Sequence, residues 1–302
     1  MLPLAYFFAL AGMIGCLPAF QSNQLIQITG DLAFSGIENF NIFGGLVLAG
    51  ITGIVVIGGL KRIAGVATFL VPLMGSIYFG AMLIALTLNL DQVFPAFKLI
   101  LVDAFNGTAI AGGTFFGVLI YGVRRGAFSN EAGMGTESLV HGVAKVSDPV
   151  KQGLVAMTGP IFDTLIICTA TALMILISGV WETSTSQGVT LTAEAFSMLL
   201  GNFGGFILFI CVICFGLSTI FTYSYYGASC SRFLFGKFGM KFYIYLYIFS
   251  IFIYSIVPID IAINIADGAF AMMAIPTLVS ALWLAPKVMQ ASKNYFKLID
   301  SY

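Results

Sequence analysis

Charge is what this sequence has least of. Asp, Glu, Lys and Arg make up 9% of its 302 residues, against roughly 25% in a soluble domain. A soluble fold of this length needs a polar surface, and this chain cannot supply one. There is a single histidine, His141, so a metal site built on it lacks partners. Five cysteines stand at 16, 168, 211, 214 and 230. Cys211 and Cys214 have CxxC spacing, but they lie in FILFICVICFGLS and read as small apolar residues of a membrane helix. Net charge is zero, with 13 basic and 13 acidic residues, which leaves no footprint for nucleic acid. No basic n-region or cleavage site accompanies the first apolar run, MLPLAYFFALAGMIG, so it does not read as a cleaved signal peptide. No Walker lysine appears, so nothing points to ATP-driven work.

What is present is apolar length. Hydrophobic residues make up 59% of the chain, and mean hydropathy is +1.02. The natural solvent is the lipid bilayer, where backbone groups must be satisfied within helices or a closed barrel. The apolar runs do not alternate, so helices are expected. Eight spans are predicted, at about 3–20, 41–60, 64–88, 108–123, 153–179, 204–226, 241–257 and 261–285, in one transmembrane domain over 1–302. Of 13 basic residues, 12 fall between or after spans on one side, and Lys98 alone falls on the other. The positive-inside rule makes the first side cytoplasmic, with both termini there. Pro276 and Pro286 make the last span the weakest.

Several polar residues interrupt these runs. A carboxylate at the bilayer centre costs about 2.5–3.5 kcal/mol on insertion scales. Asp163 lies in GLVAMTGPIFDTLIICTATALMILISG, just after Gly159 and Pro160 and before Thr164, Thr169 and Thr171. It reads as an ion or proton site lined by oxygens, or as a buried Asp that caps a broken neighbouring helix. Ser218 and Thr219 form a tandem hydroxyl pair in GLSTIFTYSYYG. They could coordinate sodium, or each could bond its own helix one turn back. The stretch FNGTAIAGGTFFG holds paired glycines, Gly112 and Gly113, which suggest an unwound segment or close helix packing. Gln21, Asn23 and Gln24 follow Pro18 in a polar break, where an amide can bind substrate or cap a helix. Ser129 through Glu131 could cap a short helix in the segment after Arg124 and Arg125, which the charge pattern makes cytoplasmic.

Together these residues resemble the alanine or glycine:cation symporter family. YGVRRGAFSNEAGMGTES, continuing through DPVKQGLVAMTGPIFDTLIICTATALMIL, is the most specific match. FQSNQ, IGGLKRIAGVATFLVP, FGLSTIFTYSYYG and IADGAFAMMAIPTL resemble further family blocks. The resemblance implies an all-α transmembrane, leucine-transporter-like fold with five plus five helices in inverted repeats. It implies sodium-coupled symport of alanine or glycine across the cytoplasmic membrane, with no enzymatic activity and no cofactor beyond Na⁺. Gln21, Gly112, Gly113, Thr114 and Phe115 fall where the family contacts substrate. Asp163, Thr164, Ser218 and Thr219 fall where such folds hold sodium. Ser129, Asn130, Glu131 and Gly133 then form a signature loop at the cytoplasmic mouth. Family members begin with two further spans, the first with a glycine-rich unwound stretch. The fold is therefore expected to be N-terminally incomplete, from a truncated or split gene or a degraded transporter. A separate polypeptide carrying those spans is the expected partner.

Overall fold

A computed structural model describes residues 2–34, 36–105 and 114–300, and every regular element among them is helical. Five stretches among them are long and apolar enough to cross a bilayer: Leu2–Ala33, Leu60–Leu88, Pro149–Ser178, Phe203–Ile256 and Ile259–Leu298. The outer surface is correspondingly apolar. Phe94, Leu282 and Trp283 are each more than two-thirds exposed, a cost in water but none against lipid tails.

The first span is longer than its apolar run. Helix α1 (Leu2–Gly15) is followed after a short break by α2 (Ala19–Ala33). The run FQSNQLIQ is therefore helical, with Gln21, Ser22 and Gln24 buried. Asn23 and Gln24 act as caps for other elements. Asn23 donates to the Val257 carbonyl at 2.7 Å, and Gln24 accepts from the Val189 backbone N–H at 3.3 Å. Helices α3 (Phe40–Val56) and α4 (Leu60–Leu88) follow, and then α5 (Leu90–Ala104).

The fourth segment departs most from expectation. The span expected over 108–123 falls partly outside the described residues, and the helix that follows does not end at the two arginines. Residues 106–113, with Gly112 and Gly113, lie outside the described residues. From Thr114 helix α6 runs through both arginines to Asn130, breaks over 131–135, and resumes as α7 (Thr136–His141). The arginines are tolerated because their charge is answered inside the bundle. Arg125 pairs with Asp267, and its guanidinium lies 5.5 Å from the ring centroids of Tyr121 and Phe128.

Helix α8 (Pro149–Pro160) starts at a designed-looking cap. The Asp148 carboxylate accepts from the Val150 N–H at 2.7 Å, and Pro149 occupies the first helical position. Asp148→Ala is expected to cost about 1 kcal/mol, read as a lower thermal midpoint in detergent. A π-helical stretch, Ile161–Cys168, then joins α8 to α9 (Thr169–Ser178). The short α10 (Val180–Thr183) leads to α11 (Val189–Leu200). Helix α12 (Asn202–Ile256) is two helices joined at Gly236, whose φ of 68° lies in the left-handed region that glycine enters freely. Helix α13 (Ile259–Asp300) carries Pro276 and Pro286 inside it without ending there.

Two cores hold the bundle. The larger gathers Tyr243, Tyr247, Ile251 and Met273 around α1, α12 and α13. Its phenols are satisfied by backbone: Tyr243 donates to Met13 O at 2.8 Å, and Tyr247 to Ile220 O at 2.6 Å. The smaller packs Met82, Met174, Phe196 and Leu208 from α4, α9, α11 and α12. Tyr78 and Thr171 share a 2.5 Å hydrogen bond beside it.

Candidate functional site

Two adjoining cavities lie where the broken and wound-out helices meet. The larger, 490 Å³, is walled by Gln21, Glu131, Gly216, Thr219 and Tyr223 among others. The smaller, 360 Å³, is walled by Tyr78, Asp163, Cys168 and Thr171 among others. Ser129, Thr192 and Phe215 belong to both walls, so the cavities are two lobes of one space. Both volumes fall in the range of small-molecule sites, about 300–1,000 Å³.

The π-helical stretch explains how Asp163 reaches this space. Its wider turn, with hydrogen bonds five residues back instead of four, displaces the side chains from the ordinary helical face. The Asp163 carboxylate accepts from Ser129 Oγ at 2.6 Å and from Thr164 Oγ1 at 3.3 Å. Asn130 donates to Thr164 Oγ1 at 2.8 Å. The end of α6 is thus fastened to the π turn by a chain of oxygens. A carboxylate with two hydroxyls is a donor set for a hard cation.

The larger lobe is built on the α6–α7 break. Glu131 has φ 55°, one of two non-glycine residues with positive φ among those described. This turn carries its side chain off the α6 axis into the lobe, beside Thr136 and Tyr223. The walls of the two lobes carry two carboxylates and, among the described residues, no Lys, Arg or His.

The residues picked from the sequence distribute unevenly. Gln21 and Thr219 line the larger lobe, and Asp163 lines the smaller. Ser129 and Glu131, expected at a cytoplasmic mouth, line the interior lobes alongside them. Ser218 turns away: its hydroxyl donates to Phe215 O on its own helix at 2.9 Å. Gly133 has φ 81° in the break itself. Thr114 and Phe115 begin α6. Tyr223, Thr192 and Asp267 were not singled out from the sequence. Asp267 carried a legible signal, a lone acid inside an apolar span. Tyr223 and Thr192 carried none, since hydroxyls are ordinary in membrane helices.

The described residues form an all-helical bundle with long apolar helices, and two acids stand in the largely apolar walls of the two lobes. The chain belongs to the sodium:alanine symporter family, whose sequence profile matches residues 2–301. It is 35% identical over 239 residues to a sodium/alanine symporter of Methanococcus maripaludis, covering 78% of this chain and 52% of that one. It is 30% identical over 239 residues to an amino-acid carrier protein of Bacillus subtilis, covering 79% and 51%. The chain spans about half the length of the curated relatives it matches. The family is one of multi-pass membrane transporters, not enzymes, and its coupling is to a cation.

Proposed function

We propose that this chain carries a small neutral amino acid, alanine or glycine, across the cytoplasmic membrane by sodium-coupled symport. The supporting observation is the two-lobed cavity, with Asp163 and its hydroxyls in one lobe and Gln21 and Thr219 in the other. Asp163, Ser129 and Thr164 form the sodium site, and Thr219 serves the larger lobe, where substrate sits. Gly112, Gly113, Thr114 and Phe115 complete the substrate side. The fold is a leucine-transporter-like inverted repeat, in which such broken helices flank a midplane site.

The orientation follows from charge. Leu4, Ser138, Phe233 and Leu284 line one cavity, which places the start of α1, the end of α7, the Gly236 turn and late α13 at one end of the bundle. Lys145, Arg232, Lys237, Lys241 and Lys287 stand close to those positions in the chain, and Arg124 and Arg125 lie inside α6. That end faces the cytoplasm.

The test uses proteoliposomes that take up labelled alanine under an inward sodium gradient. Uptake is expected to need the gradient. Asp163→Asn is expected to weaken sodium activation about 100-fold, the scale of a lost charged ligand of about 3 kcal/mol. Uptake indifferent to sodium, or to Asp163→Asn, overturns the reading.

A further inference from the structure

Each lobe holds one acid, and among the described residues neither wall supplies a basic side chain to answer it. Asp163 is answered by hydroxyl donors at 2.6 and 3.3 Å. Glu131 likewise lies beside two hydroxyls, those of Thr136 and Tyr223, and among the described residues no basic side chain stands in the lobe wall. An acid in a low-dielectric cavity is stable as an anion only when a cation or strong donors face it. The two arginines of the same helix do not line the lobe, and Arg125 is engaged by Asp267 on α13. The lobe is therefore complementary to a positive group that arrives with the ligand.

The backbone points the same way. Glu131 holds a left-handed conformation at φ 55°, which costs an L residue with a long side chain more than it costs glycine, asparagine or aspartate. Glycines stand nearby at 133 and 135, both with positive φ. Folding alone would favour glycine at 131 as well. Retained strain of this kind marks positions where the side chain is needed.

We infer that Glu131 receives the α-ammonium group of the transported amino acid and sets the carrier's requirement for a free amine. This rests on the reading of the larger lobe as the amino-acid site. Gln21, a buried residue of the same lobe wall, supplies an amide for the remaining polar end. Phe20, Leu25 and Phe128 close the lobe with apolar surface, which suits a short aliphatic side chain and leaves no partner for a second charge.

The experiment measures labelled alanine binding to the full 302-residue chain in nanodiscs at saturating sodium, with ²²Na⁺ binding measured separately without alanine. Glu131→Gln is expected to weaken alanine about 100-fold and to leave sodium affinity unchanged. Glu131→Asp keeps the charge and is expected to retain most of the affinity. Glu131→Gly relieves the left-handed strain, so it is expected to melt no lower than the wild type while binding as poorly as Glu131→Gln. On the unmodified chain, alanine methyl ester is expected to displace alanine, and lactate and N-acetylalanine to fail. Wild-type alanine affinity in Glu131→Gln overturns the inference. So does a loss confined to sodium affinity, or lactate competing as well as the methyl ester. An unmodified chain that binds sodium but no amino acid overturns the carrier reading itself, and the inference with it.

Discussion

Arg125→Ala is expected to destabilise the folded chain by about 2 kcal/mol, between the cost of breaking an exposed ion pair and that of breaking a fully buried one. The side chain of Asp267 is 13% exposed, and Arg125 is its close partner. Arg124 stands 3.8 Å away with its side chain 56% exposed, so it is poorly placed to take over. The substitution also strips a cation from the faces of Tyr121 and Phe128. Helix α6 touches α13 and the π turn more than any other element, so the pair is a main tie between α6 and the bundle. The measurement is the thermal midpoint in detergent. Arg125→Met combined with Asp267→Ala is expected to cost less than the two single changes together, because it leaves no orphan charge. A single mutant that melts with the wild type would refute the tie.

Gly227→Ala is expected to cost about 3 kcal/mol, although alanine is the better helix former by about 1 kcal/mol. The position is in α12, where an added Cβ would lie 2.1 Å from the Tyr243 hydroxyl and 2.3 Å from its Cζ. Tyr243 is 1% exposed, and its hydroxyl is bonded to Met13 O. The ring has nowhere to go, and moving it breaks the bond that links α12 to α1. Packing outweighs propensity here because the clash falls on a rigid ring rather than the end of a flexible chain. Gly227→Ala with Tyr243→Leu should recover part of the loss. Thermal melting of the two variants checks both signs.

Helices were legible in the sequence wherever a run was apolar from end to end. Residues 64–88 are of this kind, since a helix satisfies its own backbone groups in lipid. Polar helical segments were not legible. FQSNQLIQ looks like a break, yet the amides of Asn23 and Gln24 cap Val257 and Val189, which lie far off in the chain. SNEAG looks like a surface loop, because a stretch rich in polar residues is ordinarily solvated. Its polar groups find partners instead in Asp163, Thr164 and the lobe wall. The pairing of Arg124 and Arg125 was hidden in the sequence for a similar reason. Their counter-charge is 142 residues away from Arg125, and pairing at that distance leaves no local trace. Asp163 stood out because an acid in a long apolar run has few innocent explanations. The π turn around it did not, since IFDTLIIC is as good an α-helical sequence as its neighbours.

Ser129 is shared by both lobes and bonded to Asp163. On the proposed assignment, this one hydroxyl adjoins both the sodium chamber and the amino-acid chamber. A cation that takes the Asp163 oxygens changes what Ser129 offers on its second face, and a solute on that face changes what Asp163 offers the cation. Equilibrium makes the two effects equal: the factor by which sodium tightens alanine is the factor by which alanine tightens sodium. Replacing Ser129 with alanine should shrink both factors together while each ligand, alone, still binds.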